Sequence, residues 1–184
     1  MVINMKLLIA SDIHGSAYYC ERLIEIVNEE NPDKIILLGD YLYHGPRNDL
    51  PKDYNPKIVI DLLNPLKEKI IGVRGNCDSE VDQMVLSFPI MADYAYINVD
   101  EVDIYISHGH IYNQEVLIPG LKGILLCGHS HVPIEEVYDD FIYMNPGSIS
   151  IPKNDSKHSY MIYENKEFKW IDLIDKEAYN TYKL

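Results

Sequence analysis

Residues 123–133 read GILLCGHSHVP. An apolar run from Ile124 to Cys127 breaks at Gly128, and two histidines follow with one residue between them. The run has the length of a buried strand, and such a strand has little use for His129 and His131. On an extended backbone, side chains at i and i+2 point to the same side. The pair would then grip one object at the strand's exit.

The same construction recurs along the chain. KLLIA (6–10) is followed by Asp12 and His14, and KIILL (34–38) by Gly39-Asp40. KIIGV (69–73) leads into Arg74-Gly75-Asn76-Cys77-Asp78, and VDIYIS (102–107) into His108-Gly109-His110. Ligands of α/β sheets bind at the carboxyl ends of strands, so strands sharing one sheet would bring these exits together. The candidate ligands are Asp12, His14, Asp40, Asn76, His108, His129 and His131. Four would fill one zinc site, so seven point to two metals with a shared carboxylate. Oxygen and imidazole donors without thiolate suit Mn, Fe, Zn, Ni or Co better than copper(I). Each motif alone is explicable as a turn, where Asn and Asp bond back to their own backbone, or, for the two histidine motifs, as a surface loop. Five such turns at five strand exits are not explained that way.

Around these exits the first half alternates strand and helix. Ser16 is placed to cap a helix with Tyr19, Leu23, Ile26 and Val27 on one stripe, ended by Asn31-Pro32. A polar, Pro-rich loop runs from Tyr41 to about Asp53. Asn55-Pro56 then reads as an N-cap with proline at the first helical position, opening a helix to about Leu63. A short helix is expected near 81–86. The second half is mostly strand, with hairpins turning at Asp100-Glu101, Asp139-Asp140 and Asn165-Lys166. No linker, repeat or low-complexity tract divides residues 1–184, which read as a single α/β domain of packed sheets with helices outside.

Sixteen Lys and Arg against 29 Asp and Glu give a formal charge of −13. Duplex binding rests on cationic side chains neutralising phosphates, so long nucleic acids are disfavoured as partners. Three widely spaced cysteines form neither a disulfide framework nor a CxxC metal site, and the reducing cytoplasm is the expected compartment. The N-terminal stretch has no signal-peptide pattern, and no apolar run approaches a membrane span.

Taken together, DIH…GDYLYHGPRN…GNCD…HGH…GHSH resembles the calcineurin-like metallophosphoesterases, and within them the small bacterial YfcE-type phosphodiesterases. The likeness runs in register from about Lys6 to Pro152. It implies a four-layer αββα sandwich, two packed mixed β-sheets flanked by helices. It further implies one metal on Asp12, His14 and His131, another on Asn76, His108 and His129, and Asp40 bridging the two. His110 would stand beside the metals or touch a phosphate oxygen. The cofactors implied are two divalent ions, manganese(II) favoured over Fe, Zn, Ni, Co or Mg. The reaction implied is attack of a metal-bridging hydroxide on a small phosphodiester.

One position departs from many relatives, which carry Gly-Asn-His-Asp/Glu where this chain has Cys77. That histidine can protonate the leaving group, and an ordinary thiol is a poorer acid at neutral pH. Cys77 is otherwise a small packed residue, and Asp78 either orients a ligand or shapes the turn. Arg47 and His44, in YHGPRNDLP, are candidates for binding substrate phosphate or are solvated loop residues. Arg74 would act similarly or pair with one of the many acids. The NPGS turn (145–148) receives no catalytic role. His158 is expected at the surface, and Cys20 and Cys127 in the core. The rival readings are a non-catalytic protein-binding scaffold, as in the retromer subunit of this fold, and a phosphomonoesterase. The later strands leave a homo-oligomer open.

Overall fold

The computed structural model describes residues 5–184. The reading of the N-terminal stretch therefore falls partly on residues 1–4, outside the described residues.

Two sheets are stacked. The first contains β1 (Leu7–Ala10), β2 (Lys34–Leu37), β3 (Ile70–Gly72), β9 (Ser159–Glu164), β10 (Glu167–Asp172) and β11 (Ala178–Lys183), in the order β11-β10-β9-β1-β2-β3. The second contains β4 (Tyr94–Val99), β5 (Val102–Ser107), β6 (Gly123–Leu126), β7 (Pro133–Val137) and β8 (Phe141–Pro146), in the order β4-β5-β6-β8-β7. Three helices accompany them: α1 (Ala17–Glu30), α2 (Pro56–Leu63) and α3 (Glu80–Val85). The three expected hairpins are all present. β11 extends the last of them from the C-terminal segment, pairing antiparallel with β10.

The central strand β1 is buried along its whole length because both of its faces are covered, which is why its sequence is a continuous apolar run. Leu8 and Ala10 face a core shared with Leu23 and Ile26 of α1 and Val59 and Leu63 of α2. Leu7 and Ile9 face the opposite way, into a second core with Ile104, Ile106, Leu126 and Trp170. The caps are those the sequence offers. Ser16 accepts from the Tyr19 amide at 3.3 Å, and Asn55 from the Ile58 amide at 3.5 Å with Pro56 at the first position. α1 ends on Asn31 in the left-handed conformation, which asparagine tolerates.

The helical cover is one-sided. Parallel neighbours such as β5 and β6 are usually joined through a helix, but residues 108–122 form no helix or strand here. That segment folds Ile118 and Leu121 onto Leu125, Phe141 and Tyr143 and closes the outer face of the second sheet. Among the described residues, no helix is long and apolar enough to cross a membrane.

The five strand exits do not share one sheet. β1, β2 and β3 are parallel in the first sheet, and β5 and β6 are parallel in the second. Direct ties hold the two sheets' exits together, since the His129 amide donates to Asp12 Oδ2 at 3.1 Å and His108 Nδ1 meets Leu38 O at 2.6 Å. Behind them, the buried Trp170 indole donates to Asn145 O at 2.7 Å. Asn145 in turn donates to Gly128 O at 2.6 Å and Ser130 Oγ at 3.0 Å. The inter-sheet core is thereby fastened to the GHSH turn. Trp170→Phe removes the donor and part of the packing, and should cost about 1–3 kcal/mol. A thermal melt would show a fall of roughly 2–4 °C per kcal/mol for a chain of this size.

Candidate metal centre

The exits of β1, β2 and β6 present their polar side chains through backbone that resists continuing as strand. Asp12, His14, Asp40, His129 and His131 all have positive φ, from 48° to 65°. For residues with a Cβ this conformation costs roughly 1–2 kcal/mol each, and strain of this kind persists only where the surroundings enforce it. The enforcing contacts are visible. Ser148 and Ser150 hydroxyls donate to Asp12 O at 2.9 and 2.7 Å. Asp78 accepts from the amides of Gly75, Asp40 and Tyr41 at 2.7, 2.8 and 2.9 Å. The positive φ values also correct the expectation that His129 and His131 point the same way. His131 stands 5.0 Å from His14, ring to ring, and His129 stands 5.1 Å from His108.

Three histidines are oriented by backbone carbonyls. His14 Nδ1 lies 2.7 Å from Tyr43 O, His108 Nδ1 2.6 Å from Leu38 O, and His131 Nδ1 2.6 Å from Ile151 O. A carbonyl only accepts, so Nδ1 carries the proton, and in the neutral ring Nε2 is left with a bare lone pair. Those lone pairs meet other acceptors. His131 and His14 Nε2 lie 3.2 and 3.6 Å from Asp12 Oδ1, and 3.2 Å from each other. His14 and His108 Nε2 lie 3.6 and 3.5 Å from Asp40 Oδ2, and His108 Nε2 is 3.1 Å from Asn76 Oδ1.

The outer oxygens of both carboxylates are occupied. Asp12 Oδ2 accepts from Ser11 Oγ at 2.6 Å, and Asp40 Oδ1 from the Cys77 amide at 2.8 Å. Asp12 Oδ1, buried, has no hydrogen-bond donor among the described residues. A buried cluster of acceptors facing acceptors is unfavourable unless a cation sits among them, so the donor set fits divalent metal. Asp12, His14 and His131 form one group able to hold an ion, Asp12, Asp40 and His108 another, and His14, Asp40 and Cys77 a third. Burial opposes the Asp12 charge, and only protonated rings at His131 and His14, or a cation in their place, would hold its carboxyl below the usual range.

The remaining candidates divide. Arg47 and Asn76 line an open cavity of about 420 Å³ together with His14, Asp40, His129 and His131. Cys77 lines it too, its thiol pushed up to about 12 by burial and by the Asp40 carboxylate. Asp78 acts on the backbone as described, and its carboxyl is pushed up to about 6 by burial and by Asp40. His110 packs on His108 and His129 at 5.3 and 6.2 Å with its Nδ1 buried and unpartnered. Burial and its histidine neighbours pull it down to about 4. His44 is turned into an aromatic pair with Tyr43 and Tyr54, 4.8 and 5.2 Å away, and does not line the cavity. Arg74 pairs with Asp93 at 2.6 Å. His158, expected at the surface, is half-buried and stacked on Tyr19 at 4.1 Å, with Nδ1 on Ile149 O. Cys20 and Cys127 are buried.

Sequence reading missed two contributors. Lys153 lines the cavity, although a lone lysine after Ile-Pro carries no motif. Ser148 and Ser150 hold the Asp12 carbonyl. Their signal was the NPGSIS run, whose small polar residues follow a strand like those at the other exits.

Comparison with known proteins gives this geometry its context. Residues 5–167 match the family model described as the calcineurin-like phosphoesterase superfamily domain. The chain is 43% identical over 174 residues to Phosphodiesterase YfcE of Escherichia coli K12, covering 94% of each chain. The solved structure of the E. coli YfcE phosphoesterase superposes with a TM-score of 0.93 at 42% identity, covering 97% of this chain and 98% of that one. Vacuolar protein sorting 29 from Cryptosporidium parvum, at a TM-score of 0.67 and 17% identity over 98% and 99% of the two chains, shares the fold alone. The motifs at the strand exits, the stacked mixed sheets and the acceptor cluster all lead to one assignment: this chain belongs to the calcineurin-like phosphoesterase superfamily.

Proposed function

We propose that this protein hydrolyses small phosphodiesters with two divalent ions, manganese(II) first among them. Asp12, His14, Asp40 and His131 would hold one ion, and Asp40, Asn76, His108 and His129 the other. The observation that carries this reading is Asp40 Oδ2, set between His14 and His108 Nε2 at 3.6 and 3.5 Å. A carboxylate oxygen so placed belongs to both halves of the site at once. When bound, such an ion pair supplies Lewis acidity for the phosphoryl oxygens and lowers the pKa of water.

The chain's own residues do the rest. The Nδ1–carbonyl bonds hold three rings in the ligating tautomer and restrict their rotation. Asn76 Nδ2 donates to Cys77 Sγ at 3.2 Å, which turns its Oδ1 toward His108. Arg47 and Lys153 bring positive charge to the cavity that the candidate ligands His14, Asp40, Asn76, His129 and His131 also line, and Arg matches phosphate oxygens bidentately. A cysteine thiol is a weaker acid than an imidazolium for a leaving alkoxide, so Cys77 makes a poor proton donor there. That favours substrates whose leaving group departs without protonation. Three free thiols suit a reducing cytoplasm. The relative YfcE is named a phosphodiesterase, which supports the same reaction here. A protein-binding scaffold would have no need of so many strained, acceptor-only residues.

The test is hydrolysis of bis(p-nitrophenyl) phosphate against p-nitrophenyl phosphate by chelated protein with and without added Mn²⁺. Diester turnover should require the ion, and Asn76→Ala should lower it by about 10- to 100-fold or more. Metal-independent turnover would overturn the proposal. Chelation should also destabilise the fold, because ions that bind only the native state add about 2.7 kcal/mol at a hundredfold excess over Kd. At this chain length that is roughly 5–10 °C in Tm, and an unchanged melt with chelator would count against tight binding. Cys77→His should raise monoester relative to diester turnover. An unchanged ratio would remove the leaving-group argument.

A further inference from the structure

Next to the cavity lined by the candidate ligands lies a second, shallower groove of about 510 Å³. Its walls are Tyr43, Tyr54, Pro56, Ile60, Val81 and Val85, a largely apolar set. Cys77 lines both spaces. Gly45, which lines the first cavity, approaches Cys77 closely, since a Cβ added there would come within 3.1 Å of Cys77 Sγ. The groove is also exposed, with Tyr43 42%, Val81 68% and Val85 42% accessible. Asp82 touches it, but Asp82 Oδ2 is engaged by the amide and hydroxyl of Ser79 at 2.8 and 2.9 Å as a helix cap.

A phosphodiester carries two organic groups that diverge from one phosphorus atom. With the phosphate among the ligating residues, an ester group that extends past Cys77 leaves a polar cavity and enters this apolar one. We infer that the groove is a specificity subsite that receives a flat, aromatic ester group of the substrate, an aryl ring or a heterocyclic base. Two tyrosines and two valines offer ring faces and methyl groups to such a plane, and removing both from water favours binding. Cys77, which lines both spaces, is the residue that such a group would pass. The inference rests on the phosphodiesterase reading and adds the substrate class to it: small diesters bearing an aromatic group.

The experiment compares diphenyl phosphate with dimethyl phosphate, binding each by calorimetry to the Mn²⁺-loaded protein. Both ligands are symmetric, so it does not matter which ester group faces the groove. The wild type should bind the phenyl diester about tenfold more tightly, the order expected for covering one face of a ring. Val81→Ser with Val85→Ser should bring that preference to about twofold while leaving dimethyl phosphate affinity unchanged. Both valines are surface residues, and a thermal melt would verify that the variant folds. A wild type without preference, or a variant that keeps it, would overturn the subsite while leaving the phosphodiesterase reading intact. Binding of neither diester would overturn both. Sedimentation of the same proteins covers the remaining occupant. A concentration-dependent dimer that the variant abolishes, with no phenyl preference, would assign the groove to a second copy of the chain.

Discussion

Three backbone carbonyls, those of Tyr43, Leu38 and Ile151, each accept from the Nδ1 of a histidine at 2.6 to 2.7 Å. These bonds fix the tautomer of His14, His108 and His131 and aim three Nε2 lone pairs at one another and at two buried carboxylates. Without a cation the arrangement is repulsive and desolvated, and nothing in a hydrophobic core compensates it locally. The rest of the structure has to hold it. Two sheets must stack in one register, five loops must reach a common rim, and several non-glycine residues must stay in the left-handed region.

The means of holding it are ordinary fold interactions placed next to the site. Asp78 gathers three amides and so shapes the Gly39–Tyr41 and Gly75 turns together. Gly75 has to be glycine, because a Cβ there would collide with Asp40 Oδ1 and its backbone nitrogen. Gly128 meets the same constraint against Ser11 Oγ and Asp12 Oδ2. From the second sheet, Trp170 and Asn145 carry the order of the inter-sheet core into the GHSH turn. Affinity for metal and stability of the fold are therefore two expressions of one packing arrangement.

The site and its surroundings also divide the chemistry in space. Cationic and ligating groups line one cavity, apolar rings and methyls line the neighbouring groove, and Cys77 stands on the boundary. In the proposed reaction, a residue at that point would bear on proton supply and on passage alike. Burial beside Asp40 pushes its thiol pKa up.

Most of the fold was legible in the residues because its determinants are local. Apolar runs of strand length, Ser16 and Asn55 as caps, and Asp100-Glu101 and Asn165-Lys166 as turns each act within a few positions of chain. The candidate ligands stood out for the same reason, since Asp12, His14, Asp40, Asn76, His108, His129 and His131 each lie within five residues of a strand's end. Contacts between distant segments left no such trace. The pairing of Arg74 with Asp93, the stacking of His158 on Tyr19, the irregular cover at 108–122 and the arrival of Lys153 at the cavity all depend on how two sheets meet. Sequence alone thus determined which side chains stand at strand exits, because backbone periodicity and turn chemistry are short-range. Only the tertiary structure decided which exits face each other and how the two histidines of GHSH diverge, because those follow from long-range packing and from backbone strained into positive φ.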